Sequence, residues 1–211
     1  MIKTFSFFEH SGAICARRIL LFAAIMLVAG VAWAQENALL EVNAQRIQLN
    51  KTHMWVLTGW AAGNIATGFA FRGGSTGSRR YFHEMNAFWN LVNIGIAGAG
   101  LYGAYTADPN LALWKSLQAQ QKLEKILIFN MALNLSYMAG GASLTERARR
   151  GTGNPDRLRG YGQSLVLQGG FLLLFDTTQY LLHHSHATPQ FRQLISHVGF
   201  SGNAVALHFT F

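Results

Sequence analysis

Polar residues recur at helical spacing inside the apolar stretches of this sequence. His83, Asn86, Asn90 and Asn93 open the run 83–105 and, at 100° per residue, fall in a sector about 80° wide. Asn130, Asn134 and Tyr137 share one face of the run 123–144. Gln168, Asp176, Gln179 and His183 do so along 161–182 and just beyond it, and His53 and Asn64 do so in 53–71. Hydrocarbon offers amides and carboxylates no partners, so such stripes should converge on a common axis while the apolar faces turn outward.

Two chemistries are open to residues of these types. The amides of Asn64, Asn86, Asn90, Asn93, Asn130, Asn134, Gln168 and Gln179 can line a cavity that binds a small solute. They can equally serve as interhelical glue, worth ~0.6 to 2 kcal/mol per bond. Asp176 is the sharper case. A carboxylate inside a span costs ~2.5 kcal/mol or more unless paired or hydrated, and the run 161–182 contains no Lys or Arg. It must be protonated, solvated or bound to a cation. His53, Asp176 and His183, with His184 and His186 adjoining, fall toward one end of the runs, and imidazole with carboxylate suits zinc, copper or iron. A transition-metal ion is therefore the candidate cofactor. The spacing matches no dedicated metal motif, and 183–186 also reads as a wet helix end. Bis-histidine haem is disfavoured because His83 and His53 belong at opposite ends. Glu84 beside His83 can relay a proton or simply mark a boundary where charge is tolerated. No Ser/His/Asp order, phosphate loop or paired-carboxylate motif is present, so an enzyme using Asp176 and His183 ranks behind a binding or scaffold role.

The elements that must position these residues follow from composition. Half of the 211 residues are hydrophobic and 12% are charged, about half the usual charged share of a soluble domain. The runs 53–71, 83–105, 123–144 and 161–182 each approach the ~20 residues a spanning helix needs. The expected fold is all-α, a four-helix transmembrane bundle with a polar interior; a soluble bundle is the competing reading. Arg72, Arg79 and Arg80 separate the first two runs, and Arg147, Arg149, Arg150, Arg157 and Arg159 the last two. The middle connection holds only Asp108 and Lys115, so the Arg-rich loops are expected inside and the middle loop outside. Asp108-Pro109-Asn110 signals a turn, with no breaker from Leu111 to Gly140, so the third helix should run long. Gly59/Gly63 and Gly95/Ala99/Gly103 are spaced to allow close helix approach. The two basic, Gly-rich hairpin loops hint at a parallel repeat.

Residues 1–34 read as a cleaved signal peptide: Lys3, Arg17 and Arg18, then the apolar run Ile19–Val31, then Ala32-Trp33-Ala34. The mature chain, 35–211, would begin at Gln35 as a single helical domain, outside; an uncleaved fifth helix is the alternative. The one cysteine, Cys15, would leave with the signal, and with it disulfide, dithiol and thiolate-ligand chemistry. Residues 36–51 read as a surface helix. Val205, Leu207, Phe209 and Phe211 alternate with Ala206, His208 and Thr210, an extended tail that also resembles a barrel's last strand; nothing upstream supplies the other strands. The net charge of +8 sits in loop clusters rather than on one face, which argues against nucleic acid as a partner.

Tyr81-Phe82-His83-Glu84-Met85-Asn86 with Trp89-Asn90-Leu91-Val92-Asn93, and Gly160-Tyr161-Gly162-Gln163 with Leu167-Gln168-Gly169-Gly170 and Leu174-Phe175-Asp176, resemble an uncharacterised family of small exported bacterial helical membrane proteins. That resemblance supports the architecture and implies no activity. The expected setting is the bacterial envelope, the inner membrane ahead of the outer membrane or periplasm. The functional expectation is a polar intramembrane cavity for a metal ion, proton or small solute. The alternative is a non-enzymatic accessory subunit that contacts lipid and an envelope complex or a second copy of itself.

Overall fold

The computed structural model describes residues 8–151, 153–196, 198–201 and 204–207. Four helices account for nearly all of them: α1 Phe8–Arg72, α2 Gly77–Tyr105, α3 Leu113–Arg149 and α4 Pro155–Ser196. An antiparallel hairpin, β1 Val198–Ser201 and β2 Ala204–Leu207, follows with Val198 opposite Leu207. The extended tail is thus a hairpin through Leu207, and 208–211 lie outside the described residues.

Helix α1 is continuous over 65 residues, ~98 Å at 1.5 Å per residue. The segments read as leader, surface helix and first span follow one another in a single helix, with no break at their boundaries. The reason is local: from Val31 to Thr58 no Gly or Pro interrupts the chain, so nothing stops propagation. It ends at Gly73-Gly74, and Gly77, at φ 56°, opens α2 in a conformation that favours glycine. Helix α3 runs 37 residues, long as expected. Before it, the Asn110 N–H donates to Asp108 Oδ1 at 2.8 Å, the turn foreseen there. The α3–α4 turn uses Gly151 and Gly153 at φ 70° and 73°. Asn154 then caps α4: its Oδ1 accepts from the Arg157 N–H at 3.0 Å, with Pro155 in the first helical position.

The helices pack as two hairpins, α1 on α2 and α3 on α4, joined mainly by α2 against α4. Among the described residues no Cα of α2 comes within 8 Å of one in α3. The close approaches fall at other glycines than expected. Gly59, Gly63, Gly95 and Gly103 face open space, whereas a Cβ on Gly141 would lie 2.6 Å from the Gly162 carbonyl oxygen. One on Gly169 would lie 2.8 Å from that of Asn134.

Burial changes character along the bundle. At one end α1, α3 and α4 continue past α2 and enclose an ordinary apolar core of Val42, Ala187, Phe191 and Leu194. Beside α2, the fully buried large side chains are Asn90, Gln168 and Gln179, with Asp176 6% exposed. Val56, Phe88, Val92, Ile96, Phe129, Leu135 and Leu174 stand exposed over the same stretch. Among the described residues two helices, α3 and α4, are long and apolar enough to cross a membrane by length and composition.

Candidate functional site

The polar side chains form tiers along α4. At the Arg-rich end Glu84 is the acceptor for two helices, taking the Arg72 Nε–H at 2.9 Å and the Tyr161 hydroxyl at 2.9 Å. His83 does not join it; its ring packs 5.6 Å from Phe71 and 5.5 Å from Phe82. A His83–Glu84 relay is therefore replaced by an Arg72–Glu84–Tyr161 node. Adjacent helix residues point about 100° apart, which is why the two diverge.

The next tier is centred on Gln168, which is fully buried. Its Oε1 accepts from Trp60 Nε1 at 3.0 Å, and its Nε2 donates to Asn86 Oδ1 at 3.1 Å and Asn64 Oδ1 at 3.4 Å. Asn86 Oδ1 also accepts from the Ser164 hydroxyl at 2.6 Å. Asn90 Nδ2 donates to the Asn86 carbonyl, and Asn93 Nδ2 to Asn90 Oδ1 at 3.1 Å. Five predicted residues of three helices thus meet, with Trp60 and Ser164 as unforeseen members. Spacing held the signal for both: Ser164 lies four residues before Gln168, and Trp60 four before Asn64.

Farther along α4, Asp176 Oδ2 accepts from Asn134 Nδ2 at 2.6 Å, with Asn130 a second amide beside it. This tier opens into a cleft of about 450 Å3 where α2 and α3 diverge. Asn93, Asn134, Asp176 and Gln179 supply its polar floor, between apolar walls that include Val92 and Ile96 of α2 and Ile126 and Leu133 of α3. Trp89 meets Tyr137 edge-on across the gap, ring centroids 4.8 Å apart. Trp89 Nε1 and Gln179 Nε2 are buried there and have no hydrogen-bond partner. No Lys, Arg or His lines the cleft.

Beyond the cleft, His53 and His183 are both buried, their ring centroids 6.0 Å apart, and His53 makes a T-shaped contact with Phe175. The proposed ligand trio does not assemble: among the described residues no group of three or more His, Cys, Asp or Glu is placed to hold a metal ion. Asp176 stands seven residues, ~10 Å, below His183 on α4 and is engaged by Asn134. Nor is 183–186 uniformly wet. His183 is 1% exposed, while His184 reaches Glu124 at 3.4 Å and stacks on Tyr180. Around this pair Gln120 Nε2 donates to the His183 carbonyl, Asn43 Nδ2 donates to the Ser116 hydroxyl, and Arg46 donates to the Ser116 carbonyl. Burial pushes the Arg46 guanidinium below its ordinary value. A second cavity, about 320 Å3, lies between Leu39 and Leu40 of α1, the 109–112 connection with Leu113 at the start of α3, and Leu194 of α4, away from every tier.

No curated protein and no solved structure matches this chain. A family model described as "Family of unknown function (DUF6992)" matches residues 56–177. That stretch is more than half of the chain and contains the Glu84 node, the Gln168 network and most of the Asp176 cleft, with Gln179 just beyond it, and the protein belongs to this uncharacterised family.

Proposed function

We propose that the protein is an exported four-span integral membrane protein of the bacterial envelope, its leader removed after Ala34, that binds a small solute in the α2–α3 cleft. The observation that carries this reading is the cleft itself: about 450 Å3, within the range of small-molecule sites, with a buried carboxylate and an unpartnered amide on its floor. Membrane residence is supported by the exposed Val56, Phe88, Val92, Phe129 and Leu174 around buried amides. From Tyr161 to His183 the polar column spans ~33 Å of α4, close to the ~30 Å of a hydrocarbon core. Trp55 donates to the Tyr105 hydroxyl, and Lys51 lies 4.6 Å over the Tyr105 ring; Trp114 is exposed nearby in sequence at the start of α3. Such a girdle suits the outer interface. The apolar-cored extension beyond it then stands in water.

Native mass spectrometry of the protein released from nanodiscs tests the reading. A discrete small-molecule adduct on the wild type, weakened in Gln179→Leu, is the expected result. A bare chain for both proteins overturns it. The accessory-subunit reading would then lead, because the extension formed by α1, α3 and α4 offers a rigid platform outside the span region.

A further inference from the structure

We infer that the occupant of the α2–α3 cleft is an uncharged, hydroxyl-headed lipid that enters sideways from the bilayer. The inference rests on the proposed membrane-embedded, solute-binding reading and names the ligand class and its route. The route follows from the helix arrangement. The α2 and α3 backbones stay apart along their length, and the cleft rim carries Val92, Ile96 and Ile126, each roughly half exposed. In a bilayer these side chains meet acyl chains, so the mouth opens on lipid rather than on water.

The head chemistry follows from what the floor leaves unspent. Gln179 Nε2 and Trp89 Nε1 are donors without acceptors, and Gln179 is 1% exposed. An unmet buried donor is costly, and a ligand oxygen that accepts from it relieves that cost. Asp176 keeps acceptor capacity beyond its bonds to Asn134 and Asn130, since a carboxylate offers about four lone-pair sites. A hydroxyl both accepts and donates, so it satisfies the amide or indole and the carboxylate at once. A phosphate head would bury its charge without a cation, since the lining provides no Lys, Arg or His. The apolar walls then hold the chain. An acylglycerol or an isoprenoid alcohol has this chemistry; a phospholipid does not.

The test uses the full protein in phosphatidylcholine nanodiscs with three probes that share one diazirine-bearing acyl chain: a diacylglycerol, a phosphatidic acid and a phosphatidylcholine. Crosslinks are mapped by peptide mass spectrometry. Diacylglycerol should label Val92, Ile96, Ile126 or Leu133 about tenfold over either phospholipid, the ratio that ~1.4 kcal/mol of head recognition produces. Gln179→Leu should abolish the preference. Val92→Trp, which changes only an exposed rim residue, should block cleft labelling without lowering the melting temperature, so a loss of signal is separable from misfolding. Equal labelling by all three probes would make the cleft an ordinary lipid-facing surface and overturn the inference. A small-molecule adduct in native mass spectrometry that is water-soluble, with no diacylglycerol preference, would overturn the lipid source alone and leave solute binding standing. No adduct and no preference would remove both.

Discussion

Asn134 donates through Nδ2 to Asp176 Oδ2 at 2.6 Å, and with that bond α3 clasps α4 beside the cleft. The pair separates a structural from a binding role for the carboxylate. Asp176→Asn is nearly isosteric and keeps an acceptor for Asn134, so its melting temperature should stay close to wild type. Asp176→Leu strands the Asn134 donor in a buried position and should cost ~1–3 kcal/mol. Thermal unfolding in detergent measures both. If Asp176 also binds the cleft's occupant, Asp176→Asn should weaken that binding while remaining stable; equal loss of stability in the two variants would contradict the assigned geometry.

Glycine substitutions test the packing. Gly141→Ala or Gly162→Ala should destabilise by ~1–3 kcal/mol, because each new methyl meets the other glycine's carbonyl across the α3–α4 seam. Gly59→Ala and Gly63→Ala meet nothing within 4 Å and should be neutral or slightly stabilising through helix propensity. The same melting series decides the matter. Destabilisation at Gly59 or Gly63 would mean that a partner, such as a second copy, packs on that face.

The contrast shows what a sequence carries and what it leaves open. Periodicity is local, so the stripes through Asn86, Asn90, Asn93 and Asn134, and through Gln168, Asp176 and Gln179, were legible, and these residues are buried. Which glycine meets which helix depends on azimuth and neighbour order, and residue spacing encodes neither. The same limit hid the gap between α2 and α3, and the pairing of Glu84 with Arg72 and Tyr161 rather than His83. Loop charge puts His53 and His183 at one end, and their rings lie 6.0 Å apart. Asp176 does not join them, because the seven residues between it and His183 are two helical turns, a depth that a shared stripe does not resolve.

Topology is open to chemical labelling. In a Cys15→Ser background, cysteines at Thr76 and Asn154, in the two Arg-rich connections, should resist impermeant thiol reagents in intact cells. One at Asn110 should react, since all three positions are exposed in the fold. Ser116 would mislead, because it is buried under Asn43. The intact mass of the purified chain should begin at Gln35. Reaction at all three sites would point to a soluble exported bundle, and retention of Met1 would make the leader a fifth span.

The Gln168 network should behave as one unit. Gln168→Leu removes the acceptor of Trp60 Nε1 and the donor to Asn86 and Asn64, so it should destabilise by ~1–3 kcal/mol. Ser164→Ala should cost less, ~1 kcal/mol, because Asn86 Oδ1 keeps its bond from Gln168. Gln168→Glu should be the worst of the three. Its carboxylate can still accept from Trp60, but it offers Asn86 and Asn64 no donor and buries a charge without a cation. The decisive variant is Gln168→Leu with Asn86→Leu. If the two amides are buried mainly to satisfy each other, replacing both removes the polar groups that would otherwise go unmet. The double variant should then be more stable than the sum of the single losses predicts, by ~0.5–3 kcal/mol of coupling. Strict additivity in a double-mutant cycle would mean that the two side chains do not share a bond, and would break the network that ties α1, α2 and α4 together beneath the cleft.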